Sequence, residues 1–156
     1  MKKLNKIILI TIIVLLFTTK DILLINNDLY STYYYEHLNI KLKKYIDFDK
    51  LIKSIIIVES NDGLYTLNGD QIGHMQIRPI LVKDVNKIIG EDRYTHEDAW
   101  DKDKSIEMFL IYQSYYNPDM DIEKGARIWN GGPAGEHKPA TTTYWNKVKA
   151  IFDNDI

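Results

Sequence analysis

Apolar residues recur along the chain at the spacing of short amphipathic helices. From Leu51 to Glu59 they fall at i, i+3 and i+4 positions, and an aspartate at 47 or 49 can cap a helix that ends near Val58. Four later helices are predicted: from Pro79 to a stop at Gly90, over 103–116, from Asp121 to Trp129, and from Thr141 to Phe152. The helix over 103–116 is apolar on most sides and predicts a central buried element.

Two polar segments interrupt this pattern. Residues 60–77 hold Gly63, Gly69 and Gly73, which predict a loop or a small hairpin. The run Thr95-His96-Glu97-Asp98 has the pattern of a capping box and predicts a short turn near Trp100. The fold class predicted from the pattern is mainly α, with one small loop or hairpin region.

The N-terminus has the pattern of a targeting segment. Lys2, Lys3 and Lys6 precede an apolar run from Ile7 to Phe17, as in a signal peptide. Residues 1–20 are therefore predicted to be a cleaved signal or an uncleaved membrane anchor, followed by a connector over 21–45 and a folded domain over 46–156. Both alternatives export the domain, to a periplasmic or extracellular face.

Composition excludes several classes of function. The chain has 20 basic and 22 acidic residues, and without its N-terminal lysines it is more acidic, which argues against nucleic acid as a partner. It has no cysteine, so disulfides, thiolate metal sites and a cysteine nucleophile are excluded. The four histidines lack metal-binding spacing, and no cofactor or metal is predicted.

Glu59 lies where an apolar helix is predicted to end. Isoleucines and a valine precede it, and Ser60, Asn61, Asp62 and Gly63 follow. An apolar setting disfavours the ionised form of a carboxyl group and raises its pKa. Glu59 therefore has the surroundings of a general acid that retains its proton near neutral pH, although most glutamates at helix ends are simply solvated.

Three other segments carry polar side chains suited to a sugar-binding cleft. They are Gly73–Ile77 with Gln76, Arg127–Gly132 with Asn130, and Thr141–Val148 with Tyr144. Each also has a structural interpretation. Gln76 can hold its loop, Asn130 can end a helix, and the tryptophans at 129 and 145 can belong to the core.

The order of these motifs resembles the soluble lytic transglycosylase family of the lysozyme-like superfamily. The matching residues are Glu59-Ser60, Gly73-His74-Met75-Gln76, Trp129-Asn130-Gly131-Gly132 and Tyr144. The resemblance extends from Asp47 to Phe152. The chain departs from the family pattern at His74, where leucine is usual, and at Trp129 and Gly131, where the family has Tyr-Asn-Ala-Gly.

The resemblance implies a lysozyme-like helical domain that cleaves peptidoglycan glycan strands between N-acetylmuramic acid and N-acetylglucosamine. It implies that Glu59 alone acts as acid and then base, giving a 1,6-anhydro product without water. Ser60 and Tyr144 would orient Glu59, whereas Gln76, Asn130 and the backbone around Met75 would hold the sugars, with Trp129 in the substrate-binding set.

Three alternatives remain open from the sequence. A muramidase would hydrolyse the same bond with water, and Asp62 or Asp70 would then be the second carboxylate of most glycosidases. An inactive glycan-binding scaffold module would keep the fold without the reaction. A purely structural membrane-anchored helical protein is the third, and it would leave the four motifs unexplained.

Overall fold

The computed structural model describes residues 29–64 and 66–154. The predicted signal or anchor over 1–20, and the first part of the predicted connector, lie outside these residues. The boundary between two compact units falls between Lys43 and Lys44, and the side-chain contacts described below belong to the second unit. No helix within the described part of the chain is long and apolar enough to cross a membrane.

The helix that carries Glu59 is longer than its sequence pattern predicted. Helix α1 spans Leu29–Ser60, so neither Asp47 nor Asp49 caps it, and the part of the connector from Leu29 onwards is helical. Asp49 instead lies inside the helix and pairs with Lys53 at 2.8 Å, one turn later. The reason is that no glycine or proline occurs between residues 29 and 60, so nothing in the sequence interrupts the helix.

A small hairpin and a 3-10 helix lie in the two polar segments where the sequence predicted interruptions of the helical pattern. Strands β1 (Leu67–Asn68) and β2 (Gln71–Ile72) pair antiparallel, with Leu67 opposite Ile72. The 3-10 helix His96–Trp100 begins at the predicted capping box, in which the Thr95 and Asp98 side chains bond each other's backbone groups.

The remaining helices lie where the sequence predicted them, with their ends shifted by a few residues. They are α2 (Pro79–Ile89), α3 (Lys102–Tyr116), α4 (Ile122–Gly131) and α5 (Ala140–Phe152). Pro79 lies in the first turn of α2, and Gly90 ends that helix in the left-handed conformation. The aspartates at 101 and 121 cap α3 and α4 through their side chains.

The core is a single cluster between these helices, and Phe109 of α3 lies inside it. The Phe109 ring is 5.9 Å from that of Phe48 and 5.1 Å from that of Trp129, centroid to centroid. The prediction that α3 is buried on most sides was wrong, since Leu110 and Tyr115 are 44% and 63% exposed. Helix α3 buries one face on its neighbours and presents the other to solvent.

Candidate functional site

Glu59 lies in the last turn of α1, where the helix ends in a run of left-handed residues. Asn61, Asp62 and Gly63 have φ values of 50°, 55° and 90°. This conformation cannot continue a right-handed helix, and the two residue types other than glycine that tolerate it best are asparagine and aspartate. The loop therefore turns away immediately after Glu59 and leaves its side chain half-buried at the helix end.

Ser60 stabilises this helix end. Its hydroxyl donates to the carbonyl oxygen of Ile56 at 3.0 Å and accepts from the backbone N–H of Gly63 at 2.9 Å. The residue is buried. The hydrogen bonds of Ser60 fix the loop after Glu59 and do not reach the carboxyl group that the resemblance expected it to orient.

Tyr144 of α5 contacts the Glu59 carboxyl group directly. Its hydroxyl donates a hydrogen bond to Oε1 of Glu59 at 2.7 Å. Burial raises the pKa of Glu59 to about 7, against smaller opposing effects of the Tyr144 hydrogen bond and the positive charge of Arg78. Burial and the neighbouring carboxylate hold the pKa of Tyr144 well above its ordinary value, so its hydroxyl remains a donor.

The start of α5 is fixed to α4 one turn before Tyr144. The buried hydroxyl of Thr141 accepts from Nε of Arg127 at 3.0 Å and lies 2.7 Å from the carbonyl oxygen of Gly135. A Cβ on Gly135 would lie 2.1 Å from the carbonyl oxygen of Arg127, so only glycine permits this close approach. These contacts fix the start of α5 and therefore the position from which Tyr144 contacts Glu59.

The segment Gly73–Gln76 forms a tight turn closed by a bridge between Ile72 and Ile77. The backbone and side-chain amides of Gln76 both donate to the carbonyl oxygen of Gly73, at 3.1 Å and 2.9 Å. Gln76 has a φ of 49°, which is uncommon outside glycine, asparagine and aspartate. A strained residue that is held by its neighbours in this way is typical of functional loops.

The other predicted site residues divide into buried and exposed members. Met75 and Trp129 are buried, and the Trp129 ring packs edge-on against Phe109 and Tyr112. The Trp129 ring, which is 8% exposed, therefore supports the site by packing, and its contact with substrate stays a prediction. Asn130, the next residue, is exposed and presents the polar group of this motif.

The two candidate second carboxylates lie in exposed ion pairs. Asp62 is 3.4 Å from Nζ of Lys102, and Asp70 is 3.7 Å from Nε of Arg78. Within the described part of the chain, the charge that acts appreciably on Glu59 is that of Arg78 and not that of either aspartate. The geometry thus favours a site with one acid.

Arg78 is a neighbour of Glu59 that sequence reasoning did not place in the site, whereas His74 belongs to the motif Gly73–Gln76 that the sequence singled out. Arg78 acts on Glu59 through its charge, and its position two residues after the Gly-x-x-Gln motif was the available signal. His74 packs against Gly63 of the loop after Glu59, where a Cβ on the glycine would lie 2.6 Å from Nε2 of the imidazole. Its buried Nδ1 has no hydrogen-bond partner among the described residues.

A charged surface cavity of about 450 Å³ lies beside α4 and does not include Glu59 in its lining. Glu136, which lines it, lies 3.4 Å from Nζ of Lys124 and 3.3 Å from Nε2 of His137. No group of three or more acidic or histidine side chains among residues 29–64 and 66–154 is arranged to hold a metal ion.

Comparison of the chain with protein-family models, curated proteins and solved structures gave no significant match. The chemistry that the site can perform must therefore be inferred from its own geometry.

Proposed function

We propose that this chain is a peptidoglycan lytic transglycosylase with a lysozyme-like helical domain, and that Glu59 is its acid and base. The observation that carries this proposal is the half-buried carboxyl group of Glu59, with a pKa of about 7 and a hydrogen bond from Tyr144. A general acid works best when its pKa lies near the operating pH.

The reaction begins with proton transfer from Glu59 to the oxygen that links N-acetylmuramic acid to N-acetylglucosamine. The bond between that oxygen and C1 of the muramic acid breaks, and the acetamido oxygen of the same sugar stabilises the positive charge at C1. The Glu59 carboxylate then takes the proton of the 6-hydroxyl, whose oxygen bonds to C1. The products are a free 4-hydroxyl and a 1,6-anhydro end, and no water is consumed.

The surroundings of Glu59 are suited to both steps. Burial favours the protonated carboxyl group before bond cleavage, whereas Tyr144 and Arg78 favour the carboxylate that must exist after it. Tyr144 also holds one carboxyl oxygen, so the other is left to face substrate. Gln76, Asn130 and the backbone around Met75 are proposed to bind the sugars.

Among residues 29–64 and 66–154, no second carboxylate acts appreciably on Glu59, which favours transglycosylation over a muramidase. A hydrolase with two carboxylates needs the second one at the reacting carbon, as base or nucleophile. Asp62 and Asp70 are instead held in exposed ion pairs with Lys102 and Arg78. The half-burial of Glu59 likewise favours an enzyme over an inactive glycan-binding scaffold, in which this carboxyl group would have no reason to be desolvated.

We propose that the enzyme acts on the exported side of the membrane. The basic residues and apolar run at positions 2–17 support this location, and they lie outside the described residues.

The decisive experiment is mass spectrometry of the fragments that the full chain releases from purified peptidoglycan. We expect anhydro-ended muropeptides, which are lighter by one water molecule than reducing-ended ones, and we expect Glu59→Gln to release none. Glu107→Gln is the matched control, because Glu107 also accepts a tyrosine hydroxyl, that of Tyr94 at 3.0 Å, but is exposed. Reducing-ended products would establish a muramidase, and wall binding without release would establish a scaffold module.

A further inference from the structure

Trp100 presents a large aromatic ring to solvent from the end of the 3-10 helix His96–Trp100. The residue is 47% exposed, although tryptophan is highly buried on average in folded proteins. The other two tryptophans of this chain, Trp129 and Trp145, pack in or against the core. Tryptophan is enriched at binding interfaces, so an exposed indole is a candidate contact for a ligand.

Several hydrogen bonds and the burial of Ala99 fix the backbone that carries Trp100. The capping box of Thr95 and Asp98 fixes the start of the short helix, and Nε2 of His96 lies 2.9 Å from the carbonyl oxygen of Ile77. Ala99 is fully buried, and its carbonyl oxygen accepts from the Ser105 hydroxyl at 2.8 Å. The exposed indole therefore projects from a fixed position, as a preorganised binding surface requires.

This position adjoins both loops of the candidate site. A Cβ on Gly73 would lie 1.7 Å from the carbonyl oxygen of Ala99 and 3.5 Å from the backbone nitrogen of Trp100. On the other side, Lys102 reaches Asp62 of the loop after Glu59. The segment that ends in Trp100 thus contacts the turn Gly73–Gln76, and Lys102, two residues later, contacts the loop that follows Glu59.

We propose that the indole of Trp100 stacks on a sugar ring of the glycan strand, as a binding residue of the site that contains Glu59. The inference rests on the proposed function and names a contact that none of the four sequence motifs contains. The face of an aromatic ring carries partial negative charge, so it attracts the partially positive C–H groups on the apolar face of a pyranose. Ligand sites are commonly lined by aromatic rings with a few polar groups placed around them.

The test separates binding from cleavage by using the Glu59→Gln background. Binding of this variant to purified peptidoglycan and to a soluble N-acetylglucosamine tetramer is compared with that of the double variant Glu59→Gln/Trp100→Ala. We expect about a tenfold weaker affinity in the double variant, and recovery of most of it with Trp100→Phe. Tyr115→Ala is the matched control, because Tyr115 is 63% exposed on α3. It should leave affinity unchanged.

Kinetics with Glu59 intact give a second readout. Trp100→Ala should raise KM about tenfold and change kcat by less than about twofold, because stacking acts on the ground state and the transition state alike. Binding of the tetramer to the otherwise unaltered chain should also protect tryptophan fluorescence from acrylamide quenching, and Trp100→Phe should abolish that protection. The fluorescence readout holds even if the alanine variant does not fold.

The outcomes distinguish this inference from the proposed function. Unchanged affinity and KM in Trp100→Ala, with anhydro products still released, would overturn the role of Trp100 and leave the transglycosylase intact. If the unaltered chain releases no products and the Trp100 variant binds glycan more weakly, the result would support the contact of Trp100 with sugar and overturn the proposed reaction. If Glu59→Gln does not bind glycan at all, both the role of Trp100 and the proposed function would be overturned.

Discussion

The hydroxyl of Tyr144 donates a hydrogen bond to Oε1 of Glu59 across 85 residues of sequence. The two side chains come from the last turn of α1 and the first half of α5, and each affects the ionisation of the other. The carboxylate helps to keep the phenol protonated, and the phenol partly offsets the effect of burial on the carboxyl group. Four predictions follow from this pair and from the loops beside it.

Glu59→Gln should stabilise the fold above pH 7 while it removes activity. The folded-state pKa of about 7 lies above the ordinary value of 4.5, so the folded chain binds the additional proton. Wild-type stability should therefore fall as pH rises from 4.5 to 7, by at most about 3 kcal/mol. Melting temperatures measured between pH 4 and pH 8 should diverge in favour of the variant towards alkaline pH. Parallel curves would mean that Glu59 is not desolvated.

Tyr144→Phe should shift the pH dependence of the reaction. Loss of the hydrogen bond removes an interaction that favours the carboxylate, so the pKa of Glu59 should rise above about 7. The alkaline limb of the pH–rate profile should move to higher pH, and kcat should fall about tenfold or more because a carboxyl group with a higher pKa is a weaker acid and has lost the hydrogen bond that orients it. Tyr94→Phe, which removes the hydroxyl that Glu107 accepts, is the control. An unmoved profile would exclude Tyr144 from control of Glu59.

Gly73→Ala should destabilise the domain severely. The added Cβ would lie 1.7 Å from the backbone oxygen of Ala99, and the φ of 75° disfavours any side chain. We expect a loss of more than about 3 kcal/mol in the free energy of unfolding, measured by urea titration.

Gly69→Ala is the matched control for Gly73. Gly69 also has a positive φ, of 64°, but a Cβ added there would meet no atom within 4 Å. The substitution should therefore lower the free energy of unfolding by only about 1 kcal/mol. Equal losses in the two variants would show that backbone conformation, and not the contact with Ala99, makes Gly73 necessary.

His74→Leu should stabilise the fold. The substitution removes a buried Nδ1 that has no partner among the described residues, and such groups cost about 1–3 kcal/mol. Thermal unfolding should report a higher melting temperature, with muropeptide release retained. His137→Leu is the control, since the His137 side chain is 78% exposed and should give a change within about 0.5 kcal/mol. A destabilised His74→Leu would mean that the imidazole contributes to packing against Gly63.

The elements that the sequence predicted well are those fixed by local chemistry. Pro79 and Gly90 bound α2, and the aspartates at 101 and 121 cap the helices that follow them. These residues act on backbone groups within a few positions of themselves, so their effect is visible in a short window of sequence. The start of α1 was mispredicted because a potential cap such as Asp49 has no effect when the helix is already formed before it.

The composition of the candidate site was likewise visible in the sequence, whereas most of its contacts were not. The apolar run before Glu59 indicated a desolvated acid, and burial is the largest cause of its raised pKa. The contact between Tyr144 and this acid was expected from the family resemblance, whereas the tertiary structure alone decided that Ser60 bonds the loop and that the Trp129 ring packs in the core. Such contacts depend on how α4 and α5 pack against the end of α1, and that arrangement is set by the summed burial of residues far apart in the chain.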